Sequence, residues 1–292
     1  FCATLVDEWI RAGVTDVVVS PGSRSTPMAV AVTDRTELAV HVHHDERTAG
    51  FIALGIGLAS EVPAVVVTTS GTAAVELHPS VVEAHQAGVP LIVVTADRPP
   101  ELRHVGAPQT VDQNRLFGEA VRWFVDPGPP SPEMVGAWRS LGSRMVAEAV
   151  RSPAGPGPVH VNLPFREPLL GRASALPAGR HDGATWHMTA AAKTSVDSEL
   201  LDWFDGLAPD RPLLVAGAGC GDVETILTFA DAAGWPVVAD PRSGLRTGHP
   251  SVITTADALL RDPELAAAMQ PDLVVRLGEP AASKVLGEWL AG

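Results

Sequence analysis

Between Val14 and Pro164 the chain alternates short, nearly continuous apolar runs with longer stretches whose apolar residues recur every three or four positions. The runs are Val14–Ser20, Leu38–His44, Ala64–Thr69, Pro90–Ala96 and Pro158–Leu163. Four of them are rich in Val, Ile, Leu and Ala, as suits strands buried on both faces of a parallel sheet; Leu38–His44, with three His, is more mixed. Helical spacing occupies Thr26–Thr33, Arg47–Ser60, Thr72–Ala87 and Pro132–Val150, and Phe1–Ile10 reads as the middle of an amphipathic helix. Strands and helices alternating at this spacing predict βαβ units and a doubly wound parallel α/β domain.

A stretch rich in Pro, Gly, Ala and Ser, Leu169–Gly183, reads as a linker. Beyond it the alternation resumes: strand Pro212–Ala216, helix Val223–Ala233, strand Pro236–Ala239, helix Ala256–Met269 and strand Asp272–Leu277. The expected organisation is a first domain over 1–170, a linker over 171–186 and a second, smaller Rossmann-like α/β domain over 187–292. Three strands make a thin sheet, and the helical pattern Ser283–Leu290 is not followed by another strand. With no initiator Met, the expectation is a piece of a longer protein whose second domain is incomplete.

A length of 292 residues agrees with two domains at about 150 residues each. The formal charge is −13, from 34 acidic residues against 21 Lys and Arg. That balance argues against nucleic acid and anionic membrane surfaces, which reward clustered cations. Apolar residues at 46% and charged residues at 19% are enough for a large core and exclude whole-chain disorder. The longest uncharged apolar stretch, Phe51–Ala59, is far short of the roughly 20 residues that span a bilayer. Cys2 and Cys220 form no metal-ligating cluster. A cytoplasmic protein is the default expectation.

Ligands of open parallel sheets bind beyond the carboxyl ends of the strands. Here each strand of the first domain empties into polar or turn residues: Ser20–Pro27, Asp45–Arg47, Thr69–Thr72, Ala96–Pro100 and Pro164–Pro168. Ser20–Pro27 has the makings of an anion cradle, since Gly22 permits close backbone approach and Arg24 adds a planar donor fork. It lacks the spacing of a Walker A loop. Glu46 opens a helix with three glycines, Gly50, Gly55 and Gly57, and each Gly costs a helix about 1 kcal/mol against Ala. Such a helix is expected where something packs closely, with Glu46 held partly out of water. An acid in a first turn also serves the helix dipole, which is the plainer reading. Gly217-Ala218-Gly219-Cys220-Gly221 has GxGxG spacing instead of GxGxxG and reads as a tight turn with close helix packing. His41 and His43 share one face of their strand and His44 takes the other, a poor metal set.

Five segments together resemble the pyrimidine-binding domain of thiamine diphosphate-dependent enzymes: Ser20–Pro27, Asp45–Arg47 with its Gly/Ala helix, Thr69–Ala73, Thr95–Leu102 and Gly106–Thr110. They are most similar to the menaquinone-pathway branch of that family, and the second domain resembles the family's central domain more loosely. The resemblance implies that Glu46 hydrogen-bonds N1′ of the aminopyrimidine, favouring the imino tautomer that generates the thiazolium carbanion, whose chemistry is the cofactor's own. It implies cofactor contacts at Pro21, Thr72 and Gln109, and substrate contacts at Ser23, Arg24, Arg98, Gln109 and Lys284. The implied reaction decarboxylates 2-oxoglutarate and adds the remaining unit to isochorismate, with sites shared between the subunits of a homodimer or homotetramer. Both substrates are polycarboxylates, which suits arginines with bidentate reach.

Two positions depart from the family pattern. Pro108 stands where Asn is common, and Val285 follows Lys284 where some relatives carry Arg. The Gly-Asp-Gly motif that holds Mg2+ or Mn2+ and the diphosphate does not occur, so no metal ligands are expected in this chain, and the chain alone is expected to be inactive. The competing readings are another thiamine diphosphate 2-oxoacid decarboxylase or carboligase, and a non-catalytic ligand-binding module on the same fold.

Overall fold

The computed structural model describes residues 1–190 and 195–292. It divides into two compact units, Phe1–Ala192 and Lys193–Gly292. The first is built from α1 (Cys2–Arg11), β1 (Asp16–Val19), α2 (Thr26–Thr33), β2 (Ala39–Val42), α3 (Glu46–Ser60), β3 (Ala64–Thr68), α4 (Thr72–Val75), α5 (His78–Gln86), β4 (Leu91–Asp97), β5 (Trp123–Val125), α6 (Val135–Arg151) and β6 (Pro158–Pro164). Its six strands form one parallel sheet in the order β2-β1-β3-β4-β6-β5.

The period-two geometry of a strand sends alternate residues to opposite faces. Val17, Val19, Val65, Val67, Ile92 and Val94 pack under α1, α2 and α6. Val18, Val66 and Val93 pack on the other face, with Ala49 and Ala53 of α3 and Val81 and Ala84 of α5. The expected doubly wound sandwich is therefore present. From β1 the chain steps outward to β2, then crosses back to β3 on β1's other side. The strand order reverses between β1 and β3, and their following loops flank the crevice that such a reversal opens.

Two of the α3 glycines answer the close packing expected of them. A Cβ on Gly50 would collide with Ser80 of α5, and one on Gly57 would come within 2.7 Å of the Pro90 carbonyl, while Gly55 faces open space. The helical stretch expected over Thr72–Ala87 is broken into α4 and α5 near Pro79, which lies in the first turn of α5 and has no N–H to continue a helix through it. Strand β5 was not expected; its three residues are too few to carry a period.

Residues 165–190 contain no helix or strand, yet part of this stretch, including much of the proline-rich segment, is held by the first unit. Arg139 on α6 donates Nε and Nη2 to the Pro177 carbonyl at 2.8 and 2.6 Å. Trp186 N–H donates to Glu8 at 3.0 Å, and His187 N–H to Ser143 Oγ at 2.7 Å.

The second unit contains α7 (Ser198–Asp205), β7 (Pro212–Ala216), α8 (Val223–Ala233), β8 (Val237–Ala239), β9 (Val252–Ile253), α9 (Ala256–Leu259), α10 (Pro263–Ala268), β10 (Leu273–Leu277) and α11 (Lys284–Ala291). Its sheet is parallel in the order β10-β7-β8-β9, four strands where three were expected, because two-residue β9 extends the edge. The helix expected over Ala256–Met269 splits where Asp262 caps α10 and Pro263 begins it. Leu214, Ala216 and Val237 pack with α8, while Leu213, Val215 and Val238 face α9 and α11. The glycine-rich turn after β7 meets the turn after β10: a Cβ on Gly217 would strike the Glu279 carbonyl, and Glu279 N–H donates to Ala218 O at 2.8 Å. The close approach is loop to loop across the strand ends, not helix packing. No described helix is long and apolar enough to cross a membrane.

Candidate functional site

The loops after β1, β2, β3, β4 and β6 all leave the carboxyl edge of the first sheet. Gly22, with extended backbone (φ −170°), lies so close to Thr69 that any Cβ there would overlap it, so the loops after β1 and β3 touch at the reversal point. Gly71 has φ +87°, a conformation L side chains rarely adopt, and a Cβ on it would press to 3.0 Å of Gln109. Gln109 itself is held at φ +56°, uncommon for a non-glycine residue. Its Nε2 donates to Ser70 O at 3.1 Å and its carbonyl accepts Ser70 Oγ at 3.2 Å.

Arg24 is buried, with Nη1 donating to Phe165 O at 2.9 Å and Nη2 3.6 Å from Glu167; its Nε has no partner. Burial, then the charge of nearby Arg98, pulls the Arg24 guanidinium below its usual range, against the opposing pull of Glu167 and Asp97. Arg98, half-buried, donates to Ser70 Oγ at 3.1 Å and to Pro108 O at 3.2 Å. The structure thus sets two guanidiniums near one another at the strand edge.

Asp45 and Glu46 begin α3 and differ sharply. Asp45 caps the helix by accepting Arg47 N–H and Thr48 N–H, and Arg47 Nη2 reaches it at 2.6 Å. The Arg47 hydrogen bond chiefly holds the Asp45 carboxyl down at about 2. Glu46 is half-buried and makes no hydrogen bond or ion pair with the described residues. Arg47 also lies 3.8 Å from Glu76, which ties the start of α3 to the end of α4.

Of the other expected site residues, Pro21, Ser23 and Thr72 are exposed on these same loops. Lys284 lies in the second unit at the start of α11, 85% exposed and 3.5 Å from Glu288. His41 Nε2 donates to the Asp16 carboxylate at 2.8 Å, and no three His, Cys, Asp or Glu among the described residues are grouped to hold a metal. A cavity of about 490 Å3 lies away from the β1–β3 reversal, between Cys2, Val30, Arg35, Pro130, Phe165 and Leu176.

Sequence reasoning missed a buried polar network beneath these loops. Asn162 on β6 donates to Asp97 at 2.9 Å and Asp126 at 3.0 Å, and Arg103 Nη2 reaches the same two carboxylates at 2.8 and 2.9 Å. Burial raises the Asp97 carboxyl despite Asn162 and Arg103. Thr95 Oγ1 lies 2.9 Å from Asn162 Oδ1 and 2.8 Å from His160 Nε2. With its single proton on Asn162 Oδ1, Thr95 accepts from His160 Nε2–H, and His160 Nδ1 is left buried without a partner. The Asn, Thr and His were legible only as strand residues.

Burial pushes the His160 imidazole down to about 3. Its folded value thus lies below the ordinary 6.5, so its stabilisation is whole above pH 6.5 and is lost as pH falls toward 3. Between pH 6.5 and 5 this loss should reach about 1.5 kcal/mol. Unfolding followed across that window should show a shallower decline for His160→Gln than for the wild type; parallel declines would refute the assignment.

Residues 2–116 match the family model for the thiamine pyrophosphate enzyme, N-terminal TPP binding domain. Over 99% of its length the chain is 42% identical to a 2-succinyl-5-enolpyruvyl-6-hydroxy-3-cyclohexene-1-carboxylate synthase of Bacillus velezensis, covering 51% of that protein. It is 44% identical to the synthase of that name from Thermobifida fusca, over 98% of the chain and 51% of the relative. For the one from Chloroflexus aurantiacus the figures are 46%, 97% and 49%. The chain spans about half the length of the curated relatives it matches.

Proposed function

We infer that the chain belongs to the thiamine pyrophosphate enzyme family, and on that premise we propose that it supplies the pyrimidine-binding and central regions of a transferase of menaquinone biosynthesis. The reaction is decarboxylation of 2-oxoglutarate and transfer of the succinyl-semialdehyde unit to isochorismate. The observation that carries this reading is that an unpartnered, half-buried Glu46 and two neighbouring guanidiniums, Arg24 and Arg98, all follow the carboxyl ends of strands in one sheet.

These residues fit the pyrimidine half of the cofactor. A carboxylate without a partner is what a protonated ring nitrogen requires, and Ser20 Oγ and Thr69 Oγ1 are buried beside the reversal point with hydrogen-bonding capacity unused. When bound, thiamine diphosphate supplies the carbanion that attacks a 2-oxoacid. Glu46 would hold the proton at N1′, with Pro21, Thr72 and Gln109 lining the ring. Arg24, Arg98 and Gln109, with Ser23, would bind and orient substrate carboxylates; Lys284 is proposed separately as a substrate-binding residue of the second unit. The divalent cation, magnesium or manganese, would be held by residues outside this chain.

In domain terms, 1–170 would be the pyrimidine-binding domain, with a connection over 171–186 and a central domain from 187. A homodimer or homotetramer in the cytoplasm completes the proposal. Phe51 and Leu58 on α3, 45% and 61% exposed, support a subunit contact at that helix, which begins with Glu46.

The test is turnover by the full-length enzyme with thiamine diphosphate and magnesium. Release of CO2 from 2-oxoglutarate should depend on isochorismate, and pyruvate, which lacks the second carboxylate, should be a poor substitute. Turnover of pyruvate at an equal rate would favour a different 2-oxoacid carboligase, and no turnover of either would favour a binding module.

A further inference from the structure

Gln113 sits outside every helix and strand and presents nothing to the strand-edge loops' solvent side, yet it is 1% exposed. Its amide is fully engaged. Oε1 accepts Gly71 N–H at 2.9 Å, and Nε2 donates to Ala96 O at 3.1 Å and to Asn162 Oδ1 at 2.8 Å. One side chain therefore joins the turn after β3, the end of β4 and the buried network on β6.

That turn carries the site. Gly71 is followed directly by Thr72 and preceded by Ser70, itself wholly buried. Ser70 bonds Gln109 twice, through its carbonyl and through its hydroxyl, and the same hydroxyl accepts Arg98 Nη1. Gly71 sits at positive φ, and glycine has many other conformations open to it, so releasing its N–H removes a restraint on the turn. We infer that Gln113 is a positioning residue: resting on the reading above, it fixes the Ser70–Thr72 turn and, through Ser70, sets Arg98 and Gln109 for the substrate carboxylates. It touches neither substrate nor cofactor.

The experiment is steady-state kinetics on the full-length enzyme with 2-oxoglutarate and isochorismate, alongside hydrogen exchange of residues 69–72 without cofactor. Gln113→Met, close in shape but without the amide, should lower kcat/KM by about 10–100-fold, mostly through KM, because small misplacements of orienting groups cost that much. Exchange of the turn should accelerate. Ser70→Ala should act in the same direction, and the double variant should lose little more than the worse single one, since both cut one chain of contacts. Gln113→Asn keeps the amide but is a methylene too short to span Gly71 and Asn162, and it is the variant to read if Gln113→Met does not fold.

A lower melting temperature with KM and kcat per folded site unchanged would overturn the inference, as would additive effects of the two substitutions. A wild-type enzyme inert toward both substrates would instead fail the functional reading, and the positioning role would then be decided by exchange at Gly71: no acceleration in Gln113→Met sinks it.

Discussion

Glu46→Gln in the full-length enzyme is expected to lower kcat by about 10^3-fold while leaving substrate affinity within a few-fold of the wild type. A positioned proton-holding group contributes on the order of 10^2 to 10^4 in rate. The amide can still accept a hydrogen bond, but it has no charge with which to favour a protonated ring nitrogen, and charge-assisted hydrogen bonds are about twice as strong as neutral ones. The substitution is a clean probe because Glu46 makes no bond with the described residues, and Asp45 performs the capping. Stability should therefore stay within about 0.5 kcal/mol, as for surface substitutions away from special features. Single-turnover rates and a melting curve on the same preparation separate the outcomes. A rate within tenfold of the wild type would remove Glu46 from the chemistry and favour a non-catalytic module.

That Glu46 and the arginines would follow strand ends of one sheet could be read from the sequence because the fold announces itself there. Runs rich in Val, Ile and Ala identify strands covered on both faces, and in a parallel sheet every such strand ends on the same edge. Reading the polar residues just past each run was enough to collect Ser20–Ser25, Glu46, Thr69–Thr72 and Arg98. What could not be read is which polar residues inside the runs are used. Asn162 and His160 lie in Pro158–Pro164 among apolar neighbours, and no local pattern says that they join Thr95 on the next strand. Gln113 lies in a stretch without periodicity, and its role depends on three partners that are 17 to 49 residues away. The proline-rich segment after β6 is a related case: composition shows that it forms no regular structure but is silent on what holds it. Here Arg139 and Glu8 do, through backbone groups that any sequence offers.

Those two residues carry the other large effect. Arg139→Met is expected to destabilise the first unit by about 3–5 kcal/mol, the range for removing one partner of a buried ion pair. Arg139 Nη1 reaches Glu8 at 2.6 Å and Asp7 at 2.8 Å. Asp7 keeps Arg11 at 2.8 Å and Arg35 at 3.1 Å after the substitution. Glu8, wholly buried, keeps only the Trp186 N–H at 3.0 Å, so its carboxylate is left almost bare in the interior. Methionine has similar length and fills the volume, so the cost falls on the stranded charge rather than on a cavity. The Pro177 carbonyl loses both of its donors at the same time. Amide exchange in the full-length enzyme should accelerate in α1 and in residues 177–187 before the central strands respond. Adding Glu8→Gln should recover much of the loss, since a neutral amide is far less costly to bury than an unpaired carboxylate. A melting shift equivalent to less than about 1 kcal/mol, or no recovery in the double variant, would mean that water reaches Glu8 and that the pair contributes geometry without holding the segment down.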